Sequence, residues 1–185
     1  VDYKQALYVR QLDDLLASLH IDGPIDLVGL SFGGAVVTSF ADAHPERVRS
    51  LVYFDPAFRS PHGPPKYAST PWLWDWHAIL FDEDGWATGQ LDDFDDPTKF
   101  PDWPKRYRDQ MSLRGFRRAR FRVLTSSLDF DQRPQLARVG AHARPVLVVC
   151  GKQDKSVSFS SCEHLLTVMP RARLVGVDHA GHLPM

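Results

Sequence analysis

The chain has 185 residues, of which 43% are hydrophobic and 24% are charged, the composition of an ordinary globular domain with a core of its own. The formal net charge of -1 excludes an overall electrostatic field that would draw the protein to nucleic acid or to an anionic membrane. No apolar run approaches the ~20 residues that a helix needs to cross a bilayer, so no membrane span is expected.

Strand-like apolar runs alternate with stretches of helical periodicity along the chain. The first helix is predicted over about residues 3–20, where the apolar side chains fall on one face. Each predicted strand is a short continuous apolar run, which is typical of a parallel sheet covered on both faces. The predicted fold class is therefore α/β with a doubly wound parallel sheet. The other predicted elements are strand 25–30, helix 33–44, strand 48–54, strand 146–150, a helix that Pro170 ends, and a last strand at 174–177.

A tight strand-to-helix turn, Gly29-x-Ser31-x-Gly33, is the most informative motif. Both glycines are expected where the strand and helix backbones approach too closely for a Cβ atom. The serine is expected in a strained backbone conformation that projects its hydroxyl from the top of the sheet. This arrangement presents a nucleophile, although a glycine-rich turn with an incidental serine would have the same sequence.

Three distant residues could complete a nucleophilic site. A serine hydroxyl needs a base such as histidine, and the histidine needs a carboxylate that fixes its tautomer. Ser31, Asp154 and His182 each follow a predicted strand. Because the residues after parallel strands gather at one edge of the sheet, the sequence predicts a Ser31–His182–Asp154 catalytic triad. Asp55 also follows a strand and stays open as the alternative acid, with Asp154 preferred.

The order Ser, Asp, His, with Gly-x-Ser-x-Gly between strand and helix, resembles the α/β-hydrolase superfamily. Residues 151–154, Gly-Lys-Gln-Asp, are similar to its acid loop, and residues 181–184, Gly-His-Leu-Pro, are similar to its histidine loop. The similarity covers about residues 3–56 and 143–185 and implies the fold of that superfamily.

The resemblance also implies the chemistry. A serine nucleophile disfavours epoxide hydrolases and haloalkane dehalogenases, which attack through a carboxylate, and favours acyl transfer through a serine ester. The backbone N–H of Phe32 would donate to the oxyanion, and neither a metal nor an organic cofactor is implied. The partner would be a small-molecule acyl substrate.

About four strands ahead of Val1, and the loop with a second oxyanion donor, are missing relative to the superfamily. The chain is therefore interpreted as an internal fragment, expected to be weakly active and poorly soluble alone. Localisation and a signal peptide stay open for the same reason, with the cytoplasm favoured. The oligomeric state is also left open.

The predicted function is hydrolysis of a small ester or related acyl substrate by a carboxylesterase-like serine hydrolase. The main alternative is carbon–carbon bond hydrolysis of a ring-cleavage product, which the same triad supports in lidded members of the superfamily. Thioesterase, amidase and perhydrolase chemistry stay open. A non-catalytic ligand-binding role is also open, although all three triad residues are present. The sequence does not name the substrate.

Residues 57–142 interrupt the alternation and are predicted to form a helical lid between the two parts of the core, 1–56 and 143–185. All five tryptophans lie in this segment. An insertion at strand ends can cover the site, and its aromatic side chains can line an apolar pocket or simply form the lid's own core. The predicted substrate-binding tryptophans are Trp72, Trp74, Trp76 and Trp103.

Other charged and metal-ligating residues are given structural interpretations. The basic stretch 105–122 is interpreted as a solvated face paired with acidic neighbours, which the acidic run 92–96 could supply, rather than as a nucleic-acid site. His179 and His182 have a His-x-x-His spacing, but no Cys or Glu ligands accompany them and no metal is predicted. Cys150 and Cys162 lie in apolar patterns and are predicted to be buried free thiols.

Overall fold

The computed structural model describes residues 3–58, 83–123 and 131–185. The described strands form one parallel sheet in the order β1-β2-β3-β4 with helices around it, which confirms the α/β prediction. None of the described helices is both long and apolar enough to cross a bilayer. The elements are α1 (Gln5–Ser18), β1 (Ile25–Leu30), α2 (Phe32–Ala43), β2 (Val48–Phe54), α3 (Glu83–Gly89), α4 (Trp103–Met111), α5 (Phe116–Arg122), α6 (Arg133–Ala141), β3 (Val146–Gly151), α7 (Phe159–Val168) and β4 (Arg173–Val177), with short 3-10 helices at Pro45–Arg47, Gln90–Asp93 and Pro97–Lys99.

The hydrophobic core lies between the sheet and helices α2, α6 and α7. Phe40 of α2, Tyr53 of β2 and Val148 of β3 are each 0% exposed. Leu136 and Val139 of α6 belong to the same core cluster. Helix α6 lies within the range predicted for the lid, yet it packs on α2 and fixes that helix against the sheet.

Strand β1 lies at an edge of the described sheet, where β2 is its partner. Val28 of β1 is 61% exposed, whereas Leu27 is buried. The apolar run of this strand predicts burial on both faces, and within the described residues this expectation is wrong on the face that carries Val28. The same face carries Asp26, which is also exposed, so this charged residue in the run 25–30 is the signal that one side of β1 faces solvent.

Cys150 at the end of β3 and Cys162 on α7 form a disulfide, so the prediction of free thiols is wrong. Their predicted burial is confirmed, since the two residues are 0% and 1% exposed. An apolar pattern indicates that a cysteine is buried but gives no distance between two sulfur atoms, which depends on how α7 packs against β3. The bond closes the segment of chain that contains Asp154.

Reduction of this disulfide is expected to lower the free energy of unfolding by about 3 kcal/mol, because reopening a short loop returns conformational entropy to the unfolded chain. The two cysteines are 12 residues apart. Urea unfolding with and without a reductant measures the effect. A variant with both cysteines replaced by alanine is the control that the reductant should leave unchanged. Identical unfolding midpoints for the wild-type protein under the two conditions would contradict this expectation.

The described part of the predicted lid, residues 83–123, contains three short α-helices and two 3-10 helices. Trp103 packs edge to face on Phe94 with 5.3 Å between ring centroids, and Phe94 stacks on Phe100 at 4.2 Å. These rings form an aromatic cluster within the lid, and a substrate contact for Trp103 stays a prediction. The other tryptophans predicted to bind substrate lie outside the described residues: Trp72, Trp74 and Trp76.

Two basic side chains of α4 pair with aspartates, as expected for a solvated face with acidic neighbours. Arg106 pairs with Asp102 at 2.8 Å, and Arg108 pairs with Asp84 at 3.2 Å. Neither aspartate belongs to the acidic run 92–96. All four side chains are well exposed, which agrees with a solvated face and gives each pair little weight in stability.

Candidate active site

Ser31 occupies the turn between β1 and α2 in a conformation that residues with a side chain rarely adopt, with φ 51° and ψ -122°. Its N–H donates to the carbonyl of Phe54 at 2.9 Å, and its own carbonyl accepts the N–H groups of Gly34 and Ala57, each at 2.9 Å. Strain of this kind costs about 1–3 kcal/mol and persists only where the surroundings fix the backbone. These hydrogen bonds hold Ser31 beside the end of β2.

Close packing explains the first glycine of the motif but not the second. A Cβ atom on Gly29 would lie 2.6 Å from the carbonyl oxygen of Gly33, whereas one on Gly33 would meet nothing within 4 Å. The expectation that both glycines exclude a Cβ is therefore wrong for Gly33, which takes part in the contact only through its backbone. Gly34 is the second glycine of this turn that has no room for a side chain, because a Cβ there would lie 2.7 Å from the Cβ of Pro56.

The structure brings the predicted acid and base together. Nδ1 of His182 lies 2.7 Å from Oδ2 of Asp154, and the side chains are 9% and 0% exposed, respectively. Oδ1 of Asp154 accepts the backbone N–H groups of Ser156 at 2.6 Å and Val157 at 2.8 Å. Because the loop fixes one oxygen and the imidazole faces the other, the proton is held on Nδ1 and Nε2 is left as the basic nitrogen.

The acid loop and the histidine loop pack backbone against backbone. A Cβ on Gly151 would overlap the carbonyl oxygens of Ala180 and Gly181, and a Cβ on Gly181 would lie 2.5 Å from the carbonyl oxygen of Asp93. The N–H of Gln153 donates to Ala180 at 3.0 Å. The absence of a side chain at Gly151 thus allows the acid loop to contact the histidine loop, and its absence at Gly181 allows the histidine loop to contact Asp93.

Asp93 is a residue of the site that the sequence analysis did not single out. Its carbonyl accepts the N–H of His182 at 2.8 Å, and its carboxylate accepts the hydroxyl of Ser156 at 3.0 Å. Burial raises the pKa of Asp93, and the neighbouring charge of Asp154 acts in the same direction. Nothing in the composition of the acidic run 92–96 distinguishes the one aspartate that faces the histidine loop.

The carboxyl groups around His182 raise its pKa. Burial alone would lower it, but the hydrogen bond that His182 donates to Asp154 and the charges of Asp154 and Asp93 outweigh burial. Burial would in turn raise the pKa of Asp154, but its hydrogen bonds to His182 and to two backbone N–H groups lower it overall. Asp154 is therefore ionised beside an imidazole that is more basic than usual.

Asp55, the alternative acid, also reaches this site. It is 0% exposed, and its carboxyl oxygens lie 3.0 and 3.2 Å from the N–H nitrogen of Gly151. Burial, followed by the hydrogen bond to Asp154 and the charge of that residue, raises the pKa of Asp55 to about 8. Among the described residues, the carboxyl that hydrogen-bonds to His182 is that of Asp154.

Asp55, Asp154 and His182 offer ligand atoms that all lie within 4.8 Å of one another, a spacing that could also suit a metal ion. The 2.7 Å separation of His182 and Asp154 is that of a hydrogen bond. We therefore interpret these three residues as a hydrogen-bonded cluster that exchanges protons rather than as a metal site.

In the described structure the hydroxyl of Ser31 makes no hydrogen bond to His182. Contacts between nucleophile and base are often long in the absence of substrate, and both residues follow strands of the same parallel sheet. Phe32, the predicted oxyanion donor, occupies the first position of α2, where backbone N–H groups have no partner within the helix. Its ring packs edge to face on Tyr8 at 5.1 Å.

The parallel sheet with its flanking helices has the α/β-hydrolase fold, and the chain belongs to the alpha/beta hydrolase family, which it matches over residues 1–185. It is 28% identical over 189 residues to a pimeloyl-[acyl-carrier protein] methyl ester esterase of Nitrosomonas europaea, covering 94% of this chain and 70% of that protein.

Two solved structures share the fold. A serine hydrolase from Cycloclasticus zankles is 21% identical, with a TM-score of 0.73 over 96% of this chain and 64% of that one. The meta-cleavage product hydrolase CumD of Pseudomonas fluorescens is 18% identical, with a TM-score of 0.74 over 98% of this chain and 66% of that one. The chain thus spans slightly less than two thirds of the length of these two proteins.

Proposed function

We propose that this protein hydrolyses small esters through a Ser31–His182–Asp154 triad and an acyl-enzyme intermediate. The observation that carries the proposal is the buried carboxylate of Asp154, 2.7 Å from Nδ1 of His182, at the sheet edge where Ser31 holds its strained conformation. A serine becomes a nucleophile when a neighbouring imidazole is kept in one tautomer by such a carboxylate.

The reaction follows from these positions. Oγ of Ser31 attacks the ester carbonyl while Nε2 of His182 accepts the hydroxyl proton, and the N–H of Phe32 donates to the oxyanion. His182 returns the proton to the departing alcohol, which leaves the acyl group on Ser31. A water molecule, deprotonated by His182, then attacks the acyl carbonyl and releases the acid. Asp154 keeps its charge throughout and stabilises the imidazolium.

Methyl esters are the first substrates to test, because the relative from Nitrosomonas europaea is named as a methyl ester esterase. Carbon–carbon bond hydrolysis is the alternative reaction, and the likeness to a meta-cleavage product hydrolase is one of fold. A panel of methyl esters of increasing acyl length, together with one meta-cleavage dienoate, separates the two reactions by the substrate that turns over.

Reaction with a fluorophosphonate tests the nucleophile itself. Peptide mapping by mass spectrometry should place the adduct on Ser31, and prior incubation with an excess of a turned-over ester should slow its formation. Absence of an adduct on Ser31 in the folded protein, together with no turnover of any ester, would overturn the proposal. Tight binding of an ester without turnover would then favour the ligand-binding role.

The pH dependence of kcat/KM should show the raised pKa of His182. Only the neutral imidazole accepts the serine proton, so activity should rise with pH as His182 loses its proton, through a pKa above the ordinary 6.5. Initial rates on an ester without titratable groups, at constant ionic strength, measure this acid limb. A limb centred at or below the ordinary histidine value would contradict the charge arrangement around His182.

A further inference from the structure

Asp55 has no part in the reaction derived above, although its carboxyl group lies inside the site. It is 0% exposed and sits in a left-handed conformation with φ 38° directly after β2. The N–H of Asp55 donates to Val149 at 3.0 Å, so the neighbouring strand β3 fixes its backbone. A fully buried carboxyl group held this firmly requires a partner for each of its oxygens or a proton.

Among the described residues, the surroundings of Asp55 offer little to stabilise a negative charge. The N–H of Gly151 is its backbone donor, and the sulfur atoms of Cys150 and Cys162 lie within 4.8 Å of it. Those two sulfurs are joined in the disulfide and carry no charge. The remaining charged neighbours are Asp154, from the loop after β3, and His182, from the loop after β4.

Asp154 is far better placed to hold the charge of this carboxyl pair. It accepts two backbone N–H groups through one oxygen and the imidazole through the other. Two carboxyl groups in contact cannot both ionise readily, and the proton remains on the one with the weaker compensation. That group is Asp55, and the rise in its pKa to about 8 agrees with this comparison.

We propose that Asp55 is a positioning residue that carries a proton and donates it in a hydrogen bond to the carboxylate of Asp154. Asp55 thereby holds the acid of the triad in its ionised form and in the orientation that faces His182. The inference rests on the proposed function for its effect on catalysis, whereas the protonation of Asp55 is a property of the folded protein alone.

The substitutions Asp55→Asn and Asp55→Ala test the positioning role. Asparagine can accept from Gly151 through its oxygen and donate to Asp154 through its NH₂ group, so kcat should stay within about threefold of wild type and the acid limb should not move. Alanine leaves buried polar groups unpaired, and kcat should fall about 10- to 100-fold. Rescue by asparagine is the result that a charged role would not give. Asp55→Leu, which is similar in size but has no hydrogen-bonding groups, should lose as much activity as Asp55→Ala, a result that a merely space-filling role would not give.

The stability of the Asp55→Asn variant tests the proton without any assay of activity. A carboxyl group whose pKa rises from 3.8 to about 8 on folding contributes stability that is present at low pH and lost as the pH rises through that interval. Asparagine does not titrate. The urea midpoint of the variant, relative to wild type, should therefore increase steadily between about pH 5 and about pH 8, and Asp102→Asn, at an exposed position of the lid, should show no such trend.

The results of these experiments separate a protonated Asp55 from an ionised one. A midpoint difference that is flat or decreases with pH would show that Asp55 is ionised when folded, and would overturn the proposal. A loss of activity in Asp55→Asn as large as in Asp154→Asn would overturn it as well, as would full activity in Asp55→Ala. If no ester turns over but the midpoint difference still increases with pH, the proposed function has failed while the proton on Asp55 stands.

Discussion

Replacing Ser31 by alanine should reduce kcat on a small ester by about a million-fold, the size of loss that removing a serine nucleophile typically causes. The substitution deletes the oxygen that forms the acyl ester and leaves the carboxylate–imidazole pair without a group to activate. Alanine keeps the Cβ of serine, so the strain at φ 51° and the fold should be unchanged. Steady-state turnover of the best ester in the panel, with fluorophosphonate labelling in parallel, measures the loss.

The control for this variant is Ser18→Ala. The hydroxyl of Ser18 is exposed at the end of α1 and donates to the carbonyl of Leu15, so its loss should leave turnover unchanged. Retention of more than about a tenth of the wild-type turnover by Ser31→Ala, in protein that unfolds at the wild-type midpoint, would exclude Ser31 as the nucleophile.

The order of elements was predictable because each depends on local patterns. Short apolar runs between helical segments identify parallel strands, and the four described strands lie where these runs occur. The pairing of Asp154 with His182 was predictable for a related reason, since residues that follow parallel strands share one edge of the sheet. The order of the elements and the positions of the strand ends can both be read from the sequence, and together they were enough to predict the Asp154–His182 pair.

The parts that sequence did not predict depend on distances between segments. The disulfide between Cys150 and Cys162 requires a particular approach of α7 to β3, and the tight glycine at position 34 requires the position of Pro56. The contact of Asp93 with the histidine loop depends on how residues 83–123 pack against the loop after β4. None of these distances is encoded in the pattern of a single segment.

Three carboxyl groups surround one imidazole, and their roles differ because their partners differ. Asp93 belongs to the segment between β2 and β3 and supports the histidine loop through its backbone carbonyl. The carboxylate of Asp154 has three hydrogen-bond donors, namely His182 and the backbone N–H groups of Ser156 and Val157. Among the described residues, the carboxyl groups of Asp55 and Asp93 have one donor each. The similarity of its loop to the acid loop of the superfamily favours Asp154 over Asp55 as the acid of the triad. The hydrogen-bond donors around each carboxyl group explain why the negative charge is on Asp154.

Replacing Asp154 by asparagine should lower kcat about ten-thousand-fold, because the substitution reverses the tautomer of the base. The N–H groups of Ser156 and Val157 select an oxygen at the position of Oδ1. The NH₂ group of asparagine must therefore face Nδ1 of His182, where Oδ2 lies 2.7 Å away in the wild-type protein. Nδ1 then accepts a hydrogen bond, the ring proton moves to Nε2, and the imidazole can no longer take the proton of Ser31.

The same substitution at the two neighbouring aspartates should thus have opposite results. Asp154→Asn removes a charge that the site uses, whereas Asp55→Asn replaces a neutral acid by a neutral amide with the same hydrogen bonds. Asp178→Asn is the matched control, because Asp178 is an exposed carboxylate that pairs with Lys152 at 2.8 Å. Turnover of one ester by the three variants and the wild type measures the contrast. Near-normal turnover in Asp154→Asn would remove Asp154 from the triad, and a severe loss in Asp55→Asn alone would transfer the role of the acid to Asp55.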